Sequence, residues 1–217
     1  MKQIKFSICT ASLFMLMSCV DLNLNPLSEG SSENWYSSQA EIEMSLNDFY
    51  RTDFFPIDDM KWGDDVTARN ETSAVNNGTL TSEDGTIAKR WENYYKGIAR
   101  ALRIINNMDR ARAMGVSEKD IAQYEGEAYF YLGYAYGMLA FHWGDAILDK
   151  VGMSLDEAYT ASRSPKADVL AYSYECLDKA AERLPNSYPG IQRATKGAAY
   201  AFKARIAIYN DSKKADL

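Results

Sequence analysis

The chain contains few of the residues that build metal and redox sites. Its 217 residues include one histidine and three cysteines, and the cysteines Cys9, Cys19 and Cys176 are scattered along the sequence. A structural zinc site takes four cysteine or histidine ligands at short spacings, so we expect no zinc and no other cofactor. If Cys9 is removed with an N-terminal signal and the thiol of Cys19 is modified, Cys176 has no partner for an intrachain disulfide.

Positive charge is scarce relative to negative charge. The sequence has 24 lysine and arginine residues against 30 aspartate and glutamate residues, a formal net charge of −6. An acidic surface repels phosphate groups, so nucleic acid is not an expected partner. Strict apolar and polar alternation, the pattern of β-strands, does not persist over six residues between turn signals. The chain is therefore predicted to be all-α.

Apolar runs long enough to span a membrane are absent, and one shorter run lies at the N-terminus. A spanning helix needs about 20 apolar residues, whereas the run from Phe6 to Met17 is shorter and follows Lys2 and Lys5. A basic start followed by an apolar stretch of about 7–15 residues is typical of a secretory signal peptide. We expect residues 1–18 to be this signal peptide.

The end of the predicted signal peptide also resembles a site of lipid attachment. Leu16-Met17-Ser18-Cys19 resembles the bacterial lipobox, in which the cysteine is acylated and becomes the mature N-terminus. The pattern predicts that Cys19 carries lipid, palmitate included, and that several acyl chains hold the protein at a membrane. An ordinary cleaved signal peptide is the alternative. Residues 19–38 are rich in Asn, Ser and Glu, so they are predicted to be a tether.

The remaining residues, 39–217, are predicted to be one helical domain. Apolar residues recur at spacings of three and four, the period of an amphipathic helix. The predicted helices run from Ser37 or Ser38 to about Arg51 and then over about 86–114, 118–143, 166–184 and 196–209. Residues 52–84 lack this period and are rich in turn-forming residues, and loops of this length are often binding loops.

Two of the predicted helices resemble a tetratricopeptide repeat. Tyr129, Leu132, Gly133 and Tyr136 follow the W-x-x-L-G-x-x-Y pattern of its first helix, with tyrosine in place of tryptophan. The second helix is matched by Ser173, Leu177, Ala180 and Pro185, after an insertion over residues 141–165. The glycine predicts a close approach of these two helices. The last helix resembles the first helix of another pair whose second helix is absent, so we expect an incomplete domain.

Four stretches of the chain resemble a known family. They are Cys19-Val20-Asp21-Leu22 followed by Pro26, Trp91-x-x-Tyr94-Tyr95-x-Gly97-Ile98-Ala99-Arg100-Ala101, Glu125–Phe130 leading to Trp143-Gly144-Asp145, and Arg193–Ala199 leading to Ala204-Arg205. In this order, behind a lipobox, they resemble the N-terminal half of the SusD-like, or RagB, family of outer-membrane nutrient-binding lipoproteins. Family members are commonly more than twice this length, so the resemblance implies an N-terminal portion that is incomplete at its C-terminus.

The resemblance carries expectations about function. It implies a carbohydrate-binding protein of nutrient uptake, attached by lipid to the outer membrane and facing the cell surface, which captures oligosaccharide or peptide. It also implies a partner, a TonB-dependent SusC-like transporter that receives the captured ligand. The second hypothesis is an envelope lipoprotein that uses tetratricopeptide-like helices as a scaffold for protein–protein assembly.

The predicted ligand contacts lie in the long loop. Sugar binding needs flat aromatic faces and polar groups that form paired hydrogen bonds with hydroxyls. The loop offers these types together at Trp62, Asp64, Asp65, Arg69 and Asn70. In the alternative interpretation, Trp62 packs the loop against the helices and Asp64 caps a turn.

Other conspicuous side chains are predicted to be structural. The helical spacing of Tyr129, Tyr131, Tyr134 and Tyr136 is typical of core packing, and Cys176 lies on an apolar helix face. No constellation of residues points to a catalytic centre, so we do not expect an enzyme. A glycoside hydrolase, the third option, would need two carboxylates facing each other across a cleft.

Overall fold

The computed structural model describes residues 35–56 and 74–210. These ranges contain seven α-helices: α1 (Gln39–Asn47), α2 (Gly85–Asn106), α3 (Met108–Ala113), α4 (Glu118–Trp143), α5 (Leu155–Thr160), α6 (Lys166–Arg183) and α7 (Lys196–Tyr209). A short 3-10 turn, Asp48–Tyr50, follows α1. Extended structure in these ranges is limited to an isolated antiparallel bridge between Ala146 and Ser164. The all-α fold predicted from the sequence is confirmed.

Polar caps begin several helices where the sequence predicts them. The Ser117 hydroxyl at the start of α4 accepts a hydrogen bond from the backbone N–H of Asp120 at 3.2 Å. Thr195 caps α7 in the same way, and Ser38 forms a capping box with Glu41 at α1. Such a cap typically stabilises a helix by about 1 kcal/mol. The predicted starts of these three helices are confirmed.

Two features of the helices differ from the prediction. The sequence predicts one helix through residue 114, but α2 ends at Asn106 and α3 is separate. Asn107 lies at the break with φ −105 and ψ 6, and its side-chain amide donates to the backbone carbonyl of Arg103 at 2.7 Å. Asparagine side chains compete in this way with the helical ladder. The second difference is α5, a helix inside the predicted insertion.

The central helix is α4, which packs against α2, α6 and α7. Its aromatic side chains form much of the core, since Tyr124, Tyr131 and Tyr136 are each at most 1% exposed. The ring of Tyr131 stacks on Phe49, which follows α1, with 4.7 Å between centroids. Each fully buried large apolar side chain contributes about 1.5–3 kcal/mol. The prediction that the α4 tyrosines belong to the core is confirmed for Tyr131, Tyr134 and Tyr136.

The helices α4 and α6 meet at Gly133, as the repeat pattern predicts. A Cβ atom at this position would lie 2.5 Å from Leu177 Cγ and 2.9 Å from the Ser173 carbonyl oxygen. The Ser173 hydroxyl donates to the Gly133 carbonyl at 2.6 Å. One turn later, Gly137 receives Ile206 of α7 in the same manner. Any side chain larger than hydrogen at Gly133 would force the two helices apart.

A buried polar cluster joins three parts of the chain. Glu127 on α4 is 2% exposed and accepts a hydrogen bond from the Tyr50 hydroxyl at 2.8 Å. That hydroxyl in turn accepts from the backbone N–H of Ala194, just before α7, at 2.9 Å. Arg193 pairs with the same carboxylate and also with Asn47. Since a buried charge is costly unless it is paired, this cluster fixes both chain segments on α4.

Candidate functional site

The sequence-predicted ligand residues Trp62, Asp64, Asp65, Arg69 and Asn70 lie outside the described residues, as does the predicted lipid site Cys19. Their roles therefore stay predictions. The chain on both sides of the loop is described, and it forms a cleft. The cleft has a volume of about 390 Å³ and is lined by Thr52, Asp53, Pro56, Gly85, Thr86, Lys89, Arg90 and Asn93.

One wall of this cleft is the first part of α2. Residues Thr86, Lys89, Arg90 and Asn93 recur at spacings of three and four, so they share one side of the helix. The start of α2 is held by Asp84, whose carboxylate accepts from the Thr86 N–H at 2.8 Å. The sequence places these polar side chains on a regular, well-capped helix, which gives the wall a defined geometry.

The opposite wall follows the 3-10 turn. Arg51 bridges Asp48 at 3.0 Å and Asp53 at 3.4 Å, which orders the chain leading to Pro56. The wall contributes the hydroxyl of Thr52 and the carboxylate of Asp53. Together the two walls offer hydroxyl, amide, carboxylate and cationic groups, which is the mixture of donors and acceptors that a polyhydroxylated ligand needs.

Ion pairs organise the charge along α2. Glu92 lies between two lysines, at 3.2 Å from Lys89 and paired also with Lys96 one turn further on. Hydrogen bonds from Lys96 and Lys89 lower the pKa of Glu92. Only Lys89 of the two lysines lines the cleft. Lys89 and Lys96 thus form ion pairs with the same carboxylate, but Lys89 lies in the cleft and Lys96 lies outside it.

Outside the cleft, a group of aromatic side chains lies where α2 meets the end of α4. Trp91 and Trp143 are half-buried, with their ring centroids 5.3 Å apart, and Tyr95 lies 4.9 Å from Trp91. The Arg163 guanidinium stacks over Trp91 at 5.0 Å. No sequence pattern points to Arg163, because its position depends on the insertion folding back through the bridge between Ala146 and Ser164.

The remaining candidates for chemistry are buried or isolated. Cys176 is fully buried, and burial raises the pKa of its thiol to about 12, which keeps it protonated and unreactive. The described residues contain no group of three or more His, Cys, Asp or Glu side chains arranged to hold a metal ion. The predicted burial of Cys176 is confirmed.

None of the helices in the described ranges combines the length and apolar character required to cross a membrane.

Known proteins resemble this chain in sequence. A family model for SusD-like proteins, described as starch-binding associating with outer membrane, matches residues 29–208. The SusD-like protein P2 of Formosa agariphila is 24% identical in an alignment of length 214, and the alignment covers 89% of this chain and 41% of that protein.

Solved structures share the fold. A SusD-like carbohydrate-binding protein from Bacteroides fragilis superposes with a TM-score of 0.66 at 22% identity, over 81% of this chain and 38% of that one. Surface glycan-binding protein A from Bacteroides fluxus superposes with a TM-score of 0.63 at 21% identity, over 81% of this chain and 41% of that one. The chain therefore spans about two fifths of the length of these relatives.

The family match covers most of the chain and the solved structures reproduce its helical order, so the resemblance inferred from the sequence is confirmed. The chain belongs to the SusD-like family, whose members are binding proteins associated with the outer membrane.

Proposed function

We propose that this chain is the N-terminal part of a lipid-anchored outer-membrane protein that captures oligosaccharides and passes them to a TonB-dependent SusC-like transporter. The observation that carries the proposal is the family match over residues 29–208. The cleft beside the long loop supports it, because hydroxyl, amide and charged groups converge there. The names of the solved relatives, which mention carbohydrate and glycan binding, agree with this ligand class.

Capture would combine the cleft with the loop. Trp62 is proposed to stack on the apolar face of a sugar ring, while Asp64, Asp65, Arg69 and Asn70 bond its hydroxyls. Asn93 and Lys89 would extend these contacts along α2, since both line the cleft at the base of the loop. Such a site binds by shape and hydrogen bonding and needs no catalytic group. Peptide fragments are the alternative ligand class.

The proposed location of the protein at the outer membrane rests on its N-terminal residues. Cys19 is proposed to carry the lipid that anchors the chain at the cell surface, with residues 19–38 as the tether. A lipid-anchored binder beside a barrel transporter keeps captured ligand at high effective concentration near the entrance. The hand-off itself would need no covalent chemistry from this chain.

The proposal is tested by calorimetric titration of the mature chain with a panel of oligosaccharides. We expect one class of glycan to bind, and we expect Trp62→Ala and Lys89→Ala each to weaken that binding without lowering the unfolding temperature. Lys96→Ala is the matched control, because Lys96 pairs with the same Glu92 but lies outside the cleft. Absence of binding to every glycan would contradict the proposal, and unchanged affinity in Trp62→Ala would remove Trp62 from the site.

A scaffold for protein assembly is the second candidate. The repeat-like packing of α4 against α6 through Gly133 favours it, because tetratricopeptide-like pairs often dock peptides. A peptide library that binds the mature chain, with no glycan binding, would favour this candidate over the first.

A further inference from the structure

A side chain outside the candidate cleft connects its two walls. Arg100 lies on α2 seven residues after the cleft residue Asn93, and therefore about two turns further along the same side of the helix. Its guanidinium forms an ion pair with Asp48, which begins the 3-10 turn that leads into the opposite wall. Arg100 thus reaches from one wall to the other without lining the cleft itself.

The Asp48 carboxylate uses both of its oxygen atoms in this connection. Oδ2 accepts a hydrogen bond from Arg100, and Oδ1 accepts one from Arg51 Nη1 at 3.0 Å. Arg51 in turn donates to the carboxylate of the cleft residue Asp53 at 3.4 Å. We call Arg100, Asp48 and Arg51 the wall clamp, because together they link α2 to the residues that face the cleft.

Arg100 meets the same wall a second time at Phe54. Its guanidinium carbon lies 4.8 Å from the centroid of the Phe54 ring. The Phe54 ring is buried and meets Tyr131 edge-on at 6.0 Å. Its backbone N–H donates to the Arg51 carbonyl at 3.0 Å. The wall is therefore held by Arg100 before and after the two exposed cleft residues that lie between Arg51 and Phe54 in the sequence.

The wall clamp restricts a short turn and adds little to the stability of the whole fold. The side chains of Asp48, Arg100 and Arg51 are 28%, 45% and 61% exposed, and ion pairs at such positions typically contribute little to global stability. Thr52 and Asp53 are exposed, so core packing does not fix them. A site whose groups are already held in place loses less conformational entropy when a ligand binds.

We propose that Asp48 and Arg100 are positioning residues for ligand capture, which hold Thr52 and Asp53 in place opposite α2. They act through Arg51 and the turn, and they do not touch the ligand. Without the clamp the turn samples other conformations, and the apparent affinity falls with the fraction of molecules whose wall is in place. The role in capture rests on the proposed function, whereas the clamp is a property of this chain alone.

The clamp is tested first without any ligand, by hydrogen exchange of the mature chain. In Asp48→Asn and in Arg100→Gln we expect faster exchange at the amides of Phe54 and Phe55, because both amides donate to the Arg51 carbonyl. The unfolding temperature should stay unchanged, since the broken ion pairs are exposed. Unchanged exchange at these two amides in Asp48→Asn would overturn the clamp.

Asp178→Asn is the matched control for Asp48→Asn. Asp178 pairs with Lys203 at 2.7 Å and is 49% exposed, so this variant also removes the charge of a partly exposed ion pair. Asp178 lies on α6 and Lys203 on α7, and neither lines the cleft. Exchange at Phe54 and Phe55 should therefore equal that of the wild type in this variant.

The positioning role is tested by calorimetric titration with the oligosaccharide of the panel above that binds the wild-type chain most tightly. Asp48→Asn and Arg100→Gln should each weaken binding about twofold to fivefold, as expected from the contribution of a partly exposed ion pair. The double variant should bind no more weakly than Asp48→Asn, because both changes break one contact. Arg100→Lys keeps the charge opposite Asp48 and should recover most of the affinity that Arg100→Gln loses.

The outcomes separate this proposal from the proposed function. If exchange rises in Asp48→Asn but its glycan affinity equals that of the wild type, the positioning role is wrong and the proposed function stands. If Arg100→Lys binds as weakly as Arg100→Gln, the charge of Arg100 does not position the wall, which also overturns the proposal. If the wild-type chain binds no glycan of the panel, the proposed function and the positioning role are both wrong.

Discussion

The Arg193 Nη1 atom donates a hydrogen bond to Glu127 Oε2 across 2.7 Å, and the two side chains are 11% and 1% exposed. The pair joins α4 to the segment that enters α7, and its residues lie 66 positions apart in the chain. Glu127 cannot turn to bulk water and most of the Arg193 side chain is covered, so removal of one partner leaves the other with little solvent to replace the counter-charge. The pair is therefore a strong constraint on where α7 begins.

Glu127→Ala should destabilise the fold by about 3–5 kcal/mol, the usual cost of breaking a buried ion pair. The variant also removes the acceptor of the Tyr50 hydroxyl. Asp178→Asn is the control, because Asp178 forms an equally short ion pair with Lys203 but is 49% exposed, and exposed pairs contribute about 0–1 kcal/mol. Denaturant unfolding measures both variants, and equal losses would show that burial of the Glu127 pair is unimportant.

Stability should depend on pH through Glu127. Burial raises the pKa of its carboxyl group in spite of Arg193 and Tyr50, whereas Glu127 raises the pKa of Arg193 although burial opposes this. The folded state thus binds the Glu127 proton more tightly than the unfolded state. The contribution of this tighter proton binding to the free energy of unfolding is fully present below the pKa of about 4.3 that Glu127 has in the unfolded chain. It is lost as the pH rises through the pKa of Glu127 in the folded chain.

The measurement compares the wild-type chain with Glu127→Gln, which cannot titrate at this position. The free energy of unfolding of the wild type, minus that of the variant, should fall as the pH is raised from about 4 and then level off. A difference that stays constant, or grows with pH, would contradict a raised pKa at Glu127.

Gly133→Ala should weaken the packing of α4 against α6. The new methyl group would lie 2.5 Å from Leu177 Cγ and 2.9 Å from a backbone oxygen, and such overpacking typically costs about 1–3 kcal/mol. Gly197→Ala is the control, because its nearest neighbour is Thr195 Oγ1 at 3.9 Å; this change should be neutral or stabilise by about 0.4–1 kcal/mol. Thermal unfolding distinguishes them, and similar behaviour of the two variants would refute the close approach.

Tyr136→Phe should loosen the segment that carries α5. Its hydroxyl satisfies both backbone groups of Asp149, and leaving a buried polar group unpaired costs about 1–3 kcal/mol. Tyr131→Phe is the comparison, because the buried Tyr131 hydroxyl has no hydrogen-bond partner among the described residues. Hydrogen exchange should rise at residues 149–153 in Tyr136→Phe alone, and protection unchanged from wild type would argue against this anchoring role.

Most of the helical architecture follows from local signals in the sequence. The start of α4 near residue 118 and its close approach to α6 at Gly133 both follow from the sequence, because caps such as Ser117 and glycine positions act over a few residues. The break at Asn107 is not predicted, because the apolar spacing of the helix continues through it to Met108. Ser154 and Glu157 carry the capping-box signal of α5, but six residues without an apolar stripe do not predict a helix.

The candidate site is less accessible to sequence reasoning. The polar side of α2 at Lys89 and Asn93 reads as an ordinary solvated helix face, and only the folded chain shows that it lines a cleft with Thr52. The pairing of Glu127 with Arg193 likewise depends on three-dimensional proximity. Residue types in the loop, such as Trp62, predict a class of ligand, but the contacts themselves depend on a backbone path that composition does not encode.

The two glycines of α4 have a mechanical consequence. Gly133 admits Leu177 of α6, and Gly137, one turn away, admits Ile206 of α7. Neither glycine has a side chain that could adjust at the contact. A rotation of α4 about its own axis would therefore displace α6 and α7 together. We therefore expect a movement of α6 to be coupled, through the backbone of α4, to a movement of α7.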